Sequence, residues 1–147
     1  MDPSLGAVAI AASAGVPIYG SIEQLLAEDR PHGLILATPN QLHVSQAMRC
    51  LDANLPILLE KPIATTVTEG EQLVRRVEET GAKVLIGHHR AHSPIMAKAK
   101  EVVDSGKLGK LATVMGSATF LKPDHYFVDG PWRAQSGGGP ILINMIH

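Results

Sequence analysis

A short apolar run that ends in charged residues constrains the fold of this chain more than any other stretch. Residues 55–62 read LPILLEKP, so aliphatic residues follow one proline and precede a glutamate, a lysine and a second proline. A run with such boundaries is typical of a short strand buried on both faces within a parallel sheet. Ligands of open parallel sheets lie outside the carboxyl ends of the strands, so Glu60 and Lys61 are expected at a binding site.

The lysine at this strand end has two interpretations. The pKa of a lysine falls readily when its ammonium is desolvated, and Lys61 could then donate a hydrogen bond to a substrate oxygen on which charge develops. Alternatively, Glu60 and Lys61 form an ion pair that closes the strand and has no catalytic role. These two residues alone leave both interpretations open.

Helical patterns alternate with two further apolar runs. We interpret GLILAT at residues 33–38 as a strand with a continuous apolar face and KVLIG at residues 83–87 as a buried strand. Asn40 is the predicted N-cap of a helix with an apolar stripe that ends at Leu51. Thr68 and Glu71 are predicted to open the next helix, with Leu73, Val74 and Val77 inward, and Gly81 to end it. This alternation predicts right-handed β-α-β units and a parallel sheet.

The flanking segments extend this pattern. Upstream, residues 4–14 carry a helical stripe, and Ser21 with Gln24 resembles the capping box of a second short helix. From Ser93 onward the pattern predicts a helix with its apolar residues inward, a strand over residues 111–121 and a loop over residues 122–140. The predicted fold is α/β, with a partial Rossmann-type dinucleotide-binding domain over residues 1–92. Residues 93–147 are predicted to start an α+β second domain.

Composition excludes several classes of protein. The chain has 13 basic and 14 acidic residues and no basic cluster, so nothing favours nucleic acid or an anionic membrane as a partner. No apolar run reaches the roughly 18 to 20 residues that span a bilayer, and the N-terminus lacks the basic region of a signal peptide. We therefore expect a cytoplasmic protein.

Cysteine and histidine give no sign of a disulfide or a metal site. Cys50 is the one cysteine, and its apolar helical setting predicts a buried, inert thiol. The histidines at 88, 89 and 92 have no carboxylate or cysteine at ligand spacing. We interpret them as lining a cleft or facing solvent, and predict no metal.

Six short motifs, each weak alone, occur together in this chain. With them the sequence resembles the Gfo/Idh/MocA family of nicotinamide-dependent sugar and polyol oxidoreductases over nearly its whole length. The motifs are ATPNQLH at residues 37–43, EKP at 60–62, IGHHR at 86–90, SGKLGK at 105–110, WR at 132–133, and GGG at 137–139 followed by a histidine at 147.

The resemblance implies a dinucleotide cofactor and residues that contact it. It places the turn after the first strand, and the EKP motif, against NAD or NADP. The position of Asp2 makes it a candidate for the acidic residue that hydrogen-bonds the adenosine ribose and favours NAD. A role of Asp2 as a plain helix cap is an equal alternative. The implied cofactor-binding residues are Asp2, Thr38, Pro39, Asn40, His43, Glu60, Lys61 and Pro62.

The resemblance also implies hydride transfer between the nicotinamide and the CH–OH group of a sugar or cyclic polyol. Lys61 would orient the reacting carbon and stabilise the alkoxide, and His147 would take the hydroxyl proton. Asn144 joins them as a candidate catalytic residue. The implied substrate contacts are Lys61, Trp132, Arg133, Asn144 and His147. The full-length protein would be a homo-oligomer.

The sequence departs from the family pattern in two ways. The family usually has an aspartate four residues before its catalytic histidine, where this chain has Ile143, with Asn144 beside it. The chain also lacks a G-x-G-x-x-G turn and stops within an apolar segment, so a truncated chain that binds NAD weakly is expected. Two alternatives to an active oxidoreductase therefore remain, a non-catalytic binding protein and an inactive fragment.

Overall fold

Three short parallel strands form the centre of the fold. The computed structural model describes residues 1–2, 4–117, 119–139 and 142–143. Within them β1 (Leu34–Leu36), β2 (Ile57–Leu59) and β3 (Val84–Ile86) form one sheet in the order β1-β2-β3. Leu36 pairs with Leu59 and Leu59 pairs with Ile86, so the carboxyl ends of the strands lie side by side. The predicted parallel sheet is confirmed.

Helices connect and flank these strands. The α-helices are α1 (Leu5–Ala14), α2 (Ile22–Glu28), α3 (His43–Asp52), α4 (Val67–Thr80), α5 (Pro94–Asp104) and α6 (Asp124–Val128). Short 3-10 helices lie at Asn40–Leu42, His89–His92 and Pro131–Ala134.

The core lies between the sheet and the α3 and α4 helices. Helices α3 and α4 contact each other, and α3 contacts β1 and β2. Leu59 is completely buried there, and it shares one apolar cluster with Cys50 and Leu73. Burial raises the pKa of the Cys50 thiol, as expected for an unreactive buried cysteine.

The other face of the sheet is open. Leu58 of β2, the strand predicted to be buried on both faces, is only partly buried there, and β3 is not the buried strand that was predicted. Ile35 and Leu85, which flank Leu58 in the sheet, are each 70% exposed. Successive side chains of a strand point to opposite faces, and only one face is covered by α3 and α4. A continuous apolar run predicts a doubly covered strand but does not specify what supplies the second cover.

The α4 helix begins two residues earlier than predicted. Its capping box is formed by Thr66 and Glu69, in which Thr66 Oγ accepts from the Glu69 N–H at 3.2 Å and the Glu69 carboxylate accepts from the Thr66 N–H at 3.2 Å. Gly81 ends the helix at φ 64°, as predicted. Val74, predicted to point inward, is 46% exposed because Leu73 and Val77 already face the sheet.

The first turns of the other helices differ in their caps. Asn40 lies inside the 3-10 helix that leads into α3 and makes no cap hydrogen bond, so its predicted N-cap role is wrong. Ser21 Oγ accepts from the Gln24 N–H at 3.1 Å, but the Gln24 side chain accepts from Gly20 rather than from Ser21. The predicted helix near the N-terminus is present as α1, capped by Ser4 and ended by Gly15, yet none of its residues is buried.

The chain after Ser93 matches the predictions less well. The α5 helix is present, but its apolar residues, including Ile95 and Met96, are exposed, which contradicts their predicted inward position. The described residues of segment 111–121 form no strand, and the predicted loop contains α6 and a 3-10 helix. A strand needs a ladder partner, and a single alternating segment cannot supply one.

The predicted domain boundary between residues 92 and 93 stays a prediction. Among the described residues, no helix is both long and apolar enough to cross a membrane.

The capping box of α4 allows a direct stability test. Replacing Thr66 with Ala removes the acceptor for the Glu69 N–H, so we expect the free energy of unfolding in urea to fall by about 1 kcal/mol. Thr68→Ala is the matched control, since Thr68 is an exposed residue within the helix and should change the value by less than about 0.5 kcal/mol. Equal losses in both variants would show that Thr66 does not cap this helix.

Candidate active site at the carboxyl ends of the strands

The ends of the three strands are tied together by backbone hydrogen bonds that extend beyond the ladders. The Glu60 N–H donates to the Leu36 carbonyl at 2.9 Å, and the Gly87 N–H donates to the Leu59 carbonyl at 2.8 Å. The residues that follow β1, β2 and β3 are therefore held next to one another. The structure brings the ATPN turn, the EKP motif and the GHHR motif to one edge of the sheet.

Glu60 turns from β2 toward β3. A Cβ atom at position 87 would lie 2.7 Å from Glu60 Oε1, so the carboxylate occupies the space that a glycine leaves open. Its Oε2 accepts from the backbone N–H of Lys61 at 3.2 Å. Gly87 therefore allows a carboxylate to pack directly against the backbone at the end of β3.

Lys61 is partly buried and reaches a distant part of the chain. Its Nζ donates to the carbonyl oxygen of Ile143 at 3.0 Å. Burial lowers the pKa of Lys61 from its ordinary value, the nearby Glu60 carboxylate opposes that change, and the positive charge of Lys122 adds to it. Desolvation thus makes the ammonium easier to deprotonate than a surface lysine.

Asn40 makes a second link to the same distant segment. Its side chain is only 4% exposed, and Nδ2 donates to the Gly137 carbonyl at 2.6 Å. Gly137 has a φ of 81°, and a Cβ there would lie 2.8 Å from Cβ of Thr65, so the turn approaches the sheet edge closely. The other amide atom, Asn40 Oδ1, is buried and has no hydrogen-bond partner within the described chain.

His43 joins the loops that follow β1 and β2. Its ring is 1% exposed, with Nδ1 2.7 Å from the Pro62 carbonyl oxygen and Nε2 2.8 Å from the Thr38 carbonyl oxygen. Carbonyl oxygens only accept, so the ring nitrogen that carries the hydrogen is the one that donates. The structure thus gives His43 two protein partners, and its expected contact with a cofactor stays a prediction. The Lys61–Pro62 peptide bond is cis.

The N-terminal residues and the turn after β1 face a common cavity of about 610 Å³. Asp2 lines it together with Thr38 and Pro39. The Asp2 carboxylate accepts from the Ser4 N–H at 2.9 Å, and this bond lowers the pKa of Asp2. The proximity of Asp2 to the turn agrees with the position inferred from the sequence, while contact with a ribose stays a prediction.

Sequence reasoning missed other residues of this cavity. Tyr19 and Arg49 line it, and the Gln46 side chain accepts from Thr38 Oγ at 2.7 Å. These three polar residues lie on a surface helix or just before one, and none of them belongs to a motif that the sequence analysis recognised. Arg49 lies 3.8 Å from Glu23 across the helix pair, so its charge is partly matched.

A smaller cavity of about 200 Å³ lies at the ends of β2 and β3, and we call it the β3-end cavity. Its lining consists of Lys61, Gly87, His88, His89, Arg90, Ala91 and Met96. Two of the three histidines that we interpreted as lining a cleft or facing solvent, His88 and His89, belong to this lining. Within the described ranges, no group of three or more histidine, cysteine or acidic residues is arranged to hold a metal ion.

The remaining predicted substrate residues are placed only in part. The Arg133 guanidinium lies 4.3 Å from the Tyr126 ring centre and 5.4 Å from that of Trp132, and donates to the Tyr126 carbonyl at 2.7 Å. These contacts lie within one segment, so a role of Trp132 or Arg133 in substrate binding stays a prediction. Asn144 and His147 lie outside the described residues.

The buried histidine gives the prediction that this geometry supports most directly. His43→Phe keeps the ring volume but removes the two ring nitrogens that lie within hydrogen-bond distance of two carbonyl oxygens, so we expect the free energy of unfolding to fall by about 2 kcal/mol or more. His32→Phe is the control, because His32 is exposed. A His43→Phe variant as stable as the parent chain in urea would contradict the bridging role.

Comparisons with known proteins agree with this arrangement. The sequence profile of a family described as "Oxidoreductase family, NAD-binding Rossmann fold" matches residues 1–88. Inositol 2-dehydrogenase of Mycolicibacterium smegmatis is 32% identical over 102 residues, which cover 67% of this chain and 30% of the relative. D-xylose 1-dehydrogenase (NADP(+)) 2 of Haloferax volcanii is 31% identical over 119 residues, which cover 80% of this chain and 36% of the relative.

Solved structures give the same result at the level of the fold. The WlbA dehydrogenase from Bordetella pertussis in complex with NADH and UDP-GlcNAcA superimposes with a TM-score of 0.87 and 26% identity, over 96% of this chain and 42% of that chain. The chain spans about a third of the length of the curated relatives it matches. It belongs to the Gfo/Idh/MocA oxidoreductase family, whose members have an NAD-binding Rossmann fold.

Proposed function

We propose that this chain forms part of the active site of an NAD(P)-dependent oxidoreductase that acts on the CH–OH group of a sugar or cyclic polyol. The observation that carries the proposal is the position of Lys61. Its partly buried ammonium lies where three parallel strands end, and it also contacts residue 143 of the downstream segment. The relatives named inositol and D-xylose dehydrogenases support the proposed substrate class.

The residues at the sheet edge fit a dinucleotide. Thr38, Pro39 and Asp2 line one cavity, and Asn40 Oδ1 is a buried acceptor without a donor in the described chain, which a hydroxyl or amide of a ligand could satisfy. We propose NAD rather than NADP, because the Asp2 carboxylate can accept from ribose hydroxyls but repels a 2′-phosphate. A bound nicotinamide would accept the hydride that leaves the substrate carbon.

Lys61 would stabilise the substrate oxygen during this reaction. In the structure its ammonium donates to the Ile143 carbonyl, and we propose that a substrate hydroxyl replaces that acceptor. A cation with few competing waters stabilises a developing alkoxide more strongly than one in bulk solvent. For the proton we propose His147 as base with Asn144 beside it, which rests on the family resemblance alone.

Two broader properties are also proposed from the resemblance. We propose that the complete protein is a homo-oligomer and that it acts in the cytoplasm. The described residues contain no membrane-spanning helix, which is consistent with that location.

A non-catalytic member of the family is the second candidate. It is favoured by one observation. Position 143 carries isoleucine, and its backbone carbonyl accepts from Lys61. An isoleucine side chain cannot hold an imidazole or relay a proton. Such a protein, or an inactive fragment, would bind ligand without turnover.

Replacement of Lys61 separates the two candidates. In the complete gene product that contains these residues, we expect Lys61→Ala to lower kcat about 100-fold or more while the Kd for NAD changes less than about threefold. Lys83→Ala is the control, because Lys83 is exposed at the opposite end of β3.

Each outcome of this experiment has a defined meaning. Unchanged turnover in the Lys61 variant would remove Lys61 from the mechanism. A parent protein that binds NAD but turns over no sugar or polyol would favour the non-catalytic candidate.

A further inference from the structure

We propose that the substrate carries a small oxyanion, a carboxylate or a phosphate, and that the β3-end cavity holds it. This inference rests on the proposed function, since the anion belongs to the substrate of that reaction. It narrows the substrate class from sugars and polyols in general to their acidic derivatives.

The first support is the chemistry of the cavity lining. Lys61 and Arg90 bring cationic side chains, and His88 and His89 bring ring nitrogens that can donate hydrogen bonds. An arginine fork and a lysine ammonium are the groups that bind carboxylates and phosphates in proteins. The lining contains no carboxylate side chain of its own.

The second support is the way the fold places these groups together. Lys61 follows β2, whereas residues 88–91 follow β3, and the two strands pair in parallel up to Leu59 and Ile86. The chain then turns tightly, because the His88 N–H donates to the Ile86 carbonyl at 2.8 Å and the Ala91 N–H donates to the His88 carbonyl at 3.0 Å. Lys61 and Arg90 thus line one cavity although they belong to two separate segments.

One carboxylate lies next to this cavity. The Glu60 carboxylate packs against Gly87, and its Oε2 accepts from the Lys61 N–H at 3.2 Å. The two cationic residues of the lining, Lys61 and Arg90, therefore stand against one carboxylate, which leaves a net positive charge for a bound anion.

The size of the cavity indicates which part of a substrate it takes. A volume of about 200 Å³ is smaller than the roughly 300 to 1,000 Å³ of sites that enclose a whole ligand. One end group fits it, and the rest of the substrate lies outside. Because Lys61 also serves the proposed reacting hydroxyl, the oxyanion lies within a few bonds of the carbon that is oxidised.

Binding of three simple sugars to the complete gene product tests this inference. The probes are glucose, glucuronate and glucose 6-phosphate, titrated without cofactor while the backbone amides of residues 87–91 are followed by NMR. We expect one of the two anionic probes to bind with a Kd at least about 10-fold lower than that of glucose. A charge-assisted hydrogen bond to the anion is strong enough to lower the Kd by that factor. Tighter binding of glucuronate assigns a carboxylate, and tighter binding of glucose 6-phosphate assigns a phosphate.

A pair of arginine variants locates the site. Arg90→Gln should raise the Kd of the preferred anion about 10-fold and leave glucose unaffected, whereas Arg75→Gln should change neither value. Arg75 is the matched control because it is an exposed residue of α4 that does not belong to the lining of the β3-end cavity. Equal Kd values for all three sugars, or equal effects of the two variants, would overturn the inference.

Failure of this inference differs from failure of the proposed function. Turnover of neutral polyols that depends on Lys61, with no preference for an anion, would overturn the oxyanion site and leave the oxidoreductase standing. Anion binding that depends on Arg90, in a protein without turnover, would support the oxyanion site and overturn the oxidoreductase.

Discussion

Parallel pairing of three short strands is the constraint on which the rest of the structure depends. Because Leu36, Leu59 and Ile86 are in register, the residues after each strand are adjacent although they lie far apart in the sequence. Burial of Leu59 under α3 and α4 stabilises this pairing, and loss of the buried strand would separate the ends. The site is therefore a consequence of sheet register rather than of any single motif.

Buried polar contacts then determine how the loops beyond the strands are arranged. His43 spans the loops after β1 and β2, and Asn40 and Lys61 each bond a backbone carbonyl of the downstream segment. A buried polar group that loses its partner costs free energy, so such contacts favour one loop arrangement over others. They connect the carboxyl edge of the sheet with the downstream segment.

The local parts of this structure could be predicted from the sequence. The three strands, α3 and α4 follow from hydrophobic periodicity, and the position of Lys61 follows from the polarity of a parallel strand. The start of α4 was missed because Thr66 with Glu69 and Thr68 with Glu71 have the same spacing, and only the preceding turn selects between them.

Features that depend on distant residues could not be predicted in this way. Asn40 has the ordinary properties of an N-cap, and its bond to Gly137 arises only when the downstream turn is in place. The two carbonyl partners of His43 and the exposure of Leu85 likewise depend on which elements pack where. The β3-end cavity joins residues of two motifs, EKP and IGHHR, and neither motif alone indicates that the other lies beside it.

Transfer of the hydrogen itself tests the central claim of a hydride-transfer site most directly. The complete gene product would be incubated with NAD and with inositols or sugar acids that carry deuterium on the hydroxyl-bearing carbons, and the nicotinamide would be examined by NMR. We predict that deuterium appears at C4 of the reduced nicotinamide ring. Bound NAD that stays oxidised with every substrate, or reduced cofactor without deuterium, would contradict a site built for this chemistry.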